Sequence, residues 1–328
     1  MSRVFVIGSG FSTCAGAPLA RSVLPAIFNP SRTDKANLSL KNYLDNFLFQ
    51  GHKDWINNSG LEEVLSRLDL IRHYQPYPNT DYDKVSYFEE MLLGEFTNLL
   101  RPPKANSKHR AYSIFKELIN NHDAFISFNY DLVVEELLYS SGKNYNYCLN
   151  SPQFSQLSQP WVKLLKLHGS INLYYCPECG EVFTFSPGQA AHPLPVLVQS
   201  ADSEHRTEMV CLACLKAGSS IHLKHFIIAP TLFKSYTLST LRRLWFQALE
   251  LLAAADEIIF IGYSLPEADI LSYQLFDFGK GLARRNQIIR LVNGPRLLPD
   301  RFLQIYGQEL LNTGLYFEEW VNCRSFFC

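Results

Sequence analysis

The chain has 328 residues, 47% of them hydrophobic and 19% charged, with a net charge of −1. That length fits one large domain or two smaller ones with a real apolar core. The balanced charge argues against bulk nucleic-acid binding, which rests on a basic excess, and no apolar run approaches the ~18 residues needed to span a bilayer.

The chain opens into a strand at 4–7, without the charged segment and long apolar run of a secretory leader, so a cytoplasmic protein is expected. In that setting the eight cysteines read as thiols or metal ligands. The strand runs into a glycine-rich turn, Gly8-Ser9-Gly10 through Ser12 to Gly16, which suits a phosphate but lacks the Gly-x-Gly-x-x-Gly spacing. Residues 31–121 carry almost no strand signal. Leu61, Val64, Leu65, Leu68 and Ile71 recur at helical spacing behind Asn58 and Ser59 as cap candidates, and a later helix is ended by Pro102-Pro103. This stretch reads as a helical layer inserted after the first strand.

Further short, mainly apolar runs lie at 124–127, 162–167, 226–228, 257–262 and 288–292. With 4–7 they predict an α/β fold, a Rossmann-like, doubly wound parallel sheet with helices on both faces. In such sheets the ligand crevice lies beyond the C-terminal ends of the strands. There the sequence places Asn129, Tyr130 and Asp131 ("SFNYD"), His168 ("LHGS"), Gly262 and Ser264 ("GYSL", with Pro266 read as a helix start) and Asn293. Asp131 alone could equally be a helix cap, and a lone histidine is more often structural; their convergence on one edge carries the reading. The basic residues of 280–290 read as helix-end charges.

Between 172 and 222, Cys176 and Cys179 form one C-x2-C pair and Cys211 and Cys214 another, with 31 residues between the pairs. Four thiolates close a tetrahedral zinc site, so a structural zinc is predicted. The gap exceeds the usual ~15–20 residues and implies a loop within this small zinc-ribbon module. His192, His205, His222 and His225 are alternative ligands, less favoured than the four thiols. Cys323 and Cys328 read as ordinary thiols. The organisation expected is residues 1–30 and 122–328 as the nucleotide-binding domain, 31–121 as the insertion and 172–222 as the ribbon.

In order, these motifs resemble the sirtuin superfamily. "GSGFSTCAGAPLARS" is similar to its Gly-Ala-Gly-Ile-Ser…Asp-Phe-Arg loop, "SFNYD" to Thr-Gln-Asn-Ile-Asp, "LHGS" to its catalytic histidine motif and "GYSL" to Gly-Thr-Ser-Leu. The cysteine pairs fall where that family keeps its zinc ribbon. The resemblance covers residues 1–30 and 122–295 and implies an NAD site. Gly8, Ser9, Gly10, Ser12, Gly16, Arg21, Gly262 and Ser264 would form the cofactor loop and line the phosphates, and Asn293 would hold the adenosine ribose. Asn129 would orient the nicotinamide ribose or a water, Asp131 would bind the carboxamide, and His168 would be the general base.

Departures matter too. Leu19, Ala20 and Arg21 replace Asp-Phe-Arg, Phe128 replaces the glutamine, and Pro230 interrupts the segment that pairs with an acyl-lysine peptide in deacylases. With the helical insert, these features resemble the sirtuin-like NAD hydrolases of bacterial anti-phage defence, which implies oligomers or a partner such as a HerA-type ATPase. An NAD-dependent protein deacylase and an NAD or ADP-ribose sensor without turnover are the alternatives.

Overall fold

The computed structural model describes residues 2–52, 54–76, 80–100, 109–149, 161–184, 196–199, 207–228, 239–267, 269–295 and 300–323. Pro102, Pro103, His192, His205, Pro230 and Cys328, singled out above, lie outside the described residues. Seven parallel strands form the main sheet in the order Leu310–Asn312, Ile288–Val292, Glu257–Ile261, Arg3–Ile7, Ala124–Ser127, Val162–Lys166 and Tyr145–Asn146. Successive side chains on a strand point to opposite faces. Val4 to Ile7 and Ala124 to Ser127 are buried without a break, so both faces of the sheet are covered, as the mainly apolar runs predict.

The chain leaves Arg3–Ile7 toward Ala124–Ser127 on one side and later returns to Glu257–Ile261 on the other. The strand order therefore reverses beside the first strand, which is where doubly wound sheets open a ligand crevice. The core there is strongly aromatic. Phe5 stacks on Phe125 at 5.1 Å and meets Phe115 edge-on at 5.2 Å, and Phe11 lies 4.7 Å from Phe317. The helix Arg110–Leu118 contributes Ala111, Tyr112 and Phe115 to this core, so it packs with the sheet rather than with the helices before it.

Those earlier helices, chiefly Lys35–Tyr43, Leu61–Tyr74 and Tyr82–Leu100, bury a core of their own around Leu40, Leu65, Leu68, Val85 and Leu92. Arg72 ties two of them together, pairing with Asp69 in its own helix and with Glu89 in the next. The predicted cap for Leu61–Tyr74 is corrected by the structure. Gly60 occupies the cap position, while Asn58 ends the short Trp55–Asn58 helix and Ser59 closes it.

Two further corrections concern strand ends. The run at 226–228 does not join the main sheet; it belongs to Lys224–Ile227, the edge of a small antiparallel sheet with Gly169–Tyr175 and Val182–Thr184. The helix expected from Pro266 begins at Ile270. Leu265, at φ 50°, turns the chain through the left-handed region before the helix can start. Among the described residues, no helix is long and apolar enough to cross a membrane.

Candidate active site

The loops after the first strand and after Glu257–Ile261 meet backbone to backbone at the switch point. Gly8 donates its amide to Ile261 O and Gly10 to Gly262 O, while Gly262 donates to Val292 O. A Cβ on Gly10 would lie 2.7 Å from Gly262 Cα, and one on Gly262, which sits at φ 64°, would lie 2.2 Å from Phe11 N. Only glycine fits such a crossing. The amides of Gly8 and Gly10 are thus spent on the neighbouring loop, and the two glycines shape the crevice floor by closeness of approach. The 3₁₀ turn Ser9–Ala15 continues from there and ends at Gly16, φ 83°.

Asn129, at the end of the adjacent strand, reaches back across this loop. Its amide nitrogen donates to Gly8 O and to Ser12 Oγ, both at 2.9 Å. A carbonyl can only accept, so the amide orientation is fixed: both donor hydrogens serve the loop, and the Asn129 oxygen is what a ligand would meet. Tyr130 donates its hydroxyl to Ile228 O at 2.7 Å, and its own carbonyl accepts from Ile171 N and Ser170 Oγ. Asp131 accepts from Val133 N at 3.1 Å, opening the Val133–Ser140 helix, and its backbone carbonyl accepts from Lys166 Nζ at 2.6 Å. Each residue of the turn is therefore pinned from a different side.

His168 follows the strand Val162–Lys166 and stands in an aromatic enclosure. Phe128 meets it edge-on at 5.1 Å, with Tyr130 at 6.2 Å and Trp245 at 6.4 Å. Its backbone carbonyl accepts from Ile228 N. Gly169 makes that contact possible, because at φ 80° a Cβ would lie 1.8 Å from Phe226 O. The imidazole Nε2 lies 3.4 Å from Asp269 Oδ2, which also accepts the Tyr263 hydroxyl at 3.0 Å. Asp269 is 2% exposed. A buried carboxylate beside the ring fixes its orientation and supports a positive charge on it.

Asn293 donates to Tyr263 O at 2.5 Å, and its own oxygen is buried with no hydrogen-bond partner among the described residues. A buried acceptor left in that state favours a donor such as a ribose hydroxyl. Gly8, Gly10, Ser12, Asn129 and Gly262 come together directly. Asp131 and His168 join them through the pinned turn and the aromatic wall, and Asn293 through Tyr263. Ser9, Gly16 and Ser264 are exposed on the flanking loops. Arg21 is exposed in the Ala20–Ser22 turn, with no contact tying it to the cluster among the described residues. The sequence reading missed Asp269, Tyr263, Lys166 and Trp245. A buried lysine in an apolar strand was the one visible signal.

Residues 123–273 match the SIR2-like domain family. The match spans less than half of the chain and contains Asn129, Asp131, His168, Gly262 and Asp269, together with the four paired cysteines. No curated protein matches the chain in sequence. Among solved structures, Sir2Tm bound to a propionylated peptide aligns at 15% identity and a TM-score of 0.42, covering 98% of this chain and 90% of that one. A Sir2 complex with the inhibitor EX-527, 2′-O-acetyl-ADP-ribose and deacetylated p53 peptide aligns at 14% and 0.44, covering 98% and 91%. These likenesses are too distant to bear on function.

Within the SIR2-like segment the four cysteines converge. Cys176 Sγ lies 3.7 Å from Cys214 Sγ, and Cys179 Sγ 3.6 Å from Cys211 Sγ, with all four sulfurs within 4.8 Å of one another. Tetrahedral zinc with bonds of ~2.3 Å requires sulfurs about 3.8 Å apart, so the residues fit the ion. The first pair sits on a tight turn closed by Gly180 N to Cys176 O, and the second opens the Leu212–Lys216 helix. His225 packs against Tyr174 at 4.6 Å, and His222 bridges Val210, so neither stands in the cluster. Cys14, His109 and Glu318 also bring ligand atoms within 4.8 Å of one another. There, however, His109 Nδ1 accepts from Ala111 N. The neutral ring then carries its proton on Nε2, facing Glu318, which is the wrong tautomer for ligation through that nitrogen.

Proposed function

We propose that the chain is a sirtuin-type NAD+ hydrolase. It would cleave the nicotinamide–ribose bond and transfer the ribosyl carbon to water, releasing nicotinamide, ADP-ribose and a proton. The observation that carries this reading is the meeting of the glycine crossing, Asn129 and the His168–Asp269 pair at the sheet's switch point. A glycine-rich loop and a histidine–carboxylate pair would also serve a dehydrogenase; the buried Asn129 amide, able to aim a water or a ribose hydroxyl, is the group that favours glycosidic cleavage.

Nicotinamide leaves as a neutral group from a cationic donor, so positive charge develops on the ribose as the bond breaks. Asn129 offers an oxygen that accepts a hydrogen bond from water or from a ribose hydroxyl and aims it without titrating. His168 takes the proton as general base, with Asp269 supporting the charged ring; such proton transfer is typically worth ~10²–10⁴-fold. Asp131 would bind the carboxamide. The unpartnered oxygen of Asn293 suits the adenosine ribose. The loops around Ser9, Gly16, Arg21 and Ser264 would take the phosphates.

Water rather than an acyl group is favoured as acceptor by the wall beside His168. Phe128 stacks on Tyr263 at 4.3 Å and presents an apolar ring where deacylases carry glutamine. We read the helical layer and the structural zinc ribbon as parts of a cytoplasmic defence effector that acts as an oligomer or with a partner ATPase of the HerA type.

The test is product analysis of the full chain with NAD+, with and without an acetyl-lysine peptide. Free nicotinamide and ADP-ribose should appear without peptide and fall at least ~10²-fold in His168→Ala and Asn129→Ala. Release that requires the peptide and yields acetylated ADP-ribose would make the protein a deacylase. Saturable binding without product would make it a sensor.

A further inference from the structure

Lys166 is 1% exposed and belongs to the innermost side chains of the molecule. Its ammonium lies 3.2 Å from Glu135 Oε1 and donates to the backbone carbonyl of Asp131 at 2.6 Å. Glu135 is itself buried and accepts the Tyr147 hydroxyl at 2.9 Å; Tyr147 in turn accepts from Asn172 Nδ2 at 2.9 Å. The chain of contacts runs from the Asn129–Asp131 turn to the strand Gly169–Tyr175, which leads into the zinc ribbon.

Stability does not explain this arrangement. Desolvating two charges costs as much as their attraction returns, and apolar residues of similar volume commonly serve a core at least as well. Position 166 lies in a strand between buried leucines, where an apolar side chain would pack readily. An apolar residue could not, however, donate to the Asp131 carbonyl. Asn129 is pinned by the glycine loop and Tyr130 by Ile171, Ser170 and Ile228, so Asp131 is the residue of the turn whose carbonyl depends on this donor.

We propose that Lys166 is a positioning residue: its ammonium fixes the Asp131 carbonyl, and with it the face that the Asn129–Asp131 turn presents to NAD. Glu135 makes the buried cation tolerable, and Tyr147 and Asn172 hold Glu135 in place. This role rests on the NAD reading above.

The experiment compares melting temperature and NAD+ affinity in the wild type, in Lys166→Met and in the double variant Lys166→Met/Glu135→Gln. The single variant leaves an uncompensated buried carboxylate and should lose both thermal stability and at least tenfold in affinity. The double variant is neutral at both positions and keeps an acceptor for Tyr147. It should recover most of the melting temperature yet remain at least tenfold weaker for NAD+, because Asp131 still lacks its donor. Recovery of affinity along with stability would overturn the proposal and leave a purely structural ion pair. Should Lys166→Met not fold, the double variant alone decides. A wild type that does not bind NAD+ defeats the NAD reading itself, an outcome the same titration separates from retained binding in the double variant.

Discussion

His168 was legible in the sequence because it ends an apolar strand and precedes a glycine that only a close crossing explains. Its partner was not. Asp269 lies about a hundred positions further on, in a turn that reads as a helix start because of Pro266, and the left-handed Leu265 that delays the helix has no sequence signature. The glycines read as a phosphate loop also let two loops touch in the structure, a second use that the sequence does not announce. If Asp269 supports the charge on His168, Asp269→Asn should lower kcat at least ~10-fold while leaving KM for NAD+ within about twofold, the pattern of an interaction made in the transition state. Steady-state kinetics read this directly. A raised KM with unchanged kcat would mean that Asp269 serves binding alone.

At the scale of elements, mainly apolar runs located most of the main sheet, and the paired cysteines located the ribbon. The runs could not distinguish the 226–228 segment from a central strand. A buried edge of a small antiparallel sheet and a buried parallel strand are both apolar over so few residues. The strands Gly169–Tyr175 and Val182–Thr184 were hidden for a different reason: tyrosines, asparagine and threonine alternate there with apolar residues, and much of their polar character is satisfied by the Tyr147–Asn172–Thr184 contacts. The ribbon's own core is small, with Tyr174, Phe183 and three of the cysteines as its buried members. A zinc ion held by the four thiolates would supply much of what holds its turns together. About one zinc per chain is expected by metal analysis, and chelation should lower the melting temperature and expose the 172–222 region to proteolysis. A metal content far below one per chain would refute the assignment.

Across the whole molecule, the change in rhythm after residue 30 marked a helical layer, but whether it extended the sheet's core or buried one of its own, and where it ended, was not legible. Arg110–Leu118 reads like its helical neighbours and packs with the sheet because Tyr112 reaches Phe11 O, a contact that no local pattern encodes. The buried ion pair links the sheet core to pH. Burial raises the Glu135 carboxyl above its ordinary value, and Lys166 is the main influence pulling it back. A carboxyl raised in the folded state favours folding while protonated, and that contribution is lost as pH climbs from the ordinary carboxylate value through the raised one. Removing Lys166 extends this window upward. The melting-temperature deficit of Lys166→Met should thus be larger at about pH 8 than at about pH 5, and Lys166→Met/Glu135→Gln should show no such slope. Parallel curves for the two variants would show that Glu135 does not titrate there.

The ring of Tyr130 lies between Asn129 and Asp131 in the chain, faces His168, and packs against the helical layer, where Phe96 meets it edge-on at 5.4 Å. One side chain thus touches both the helical layer and the His168 ring. Thermodynamic linkage attaches a consequence to this double contact. Any free energy that a ligand at His168 expends in shifting Tyr130 must reappear as a change in the stability of the layer, and a molecule that braces or loosens the layer must alter ligand affinity by the same factor. The helices that look remote from the chemistry are one aromatic contact away from its thermodynamic balance.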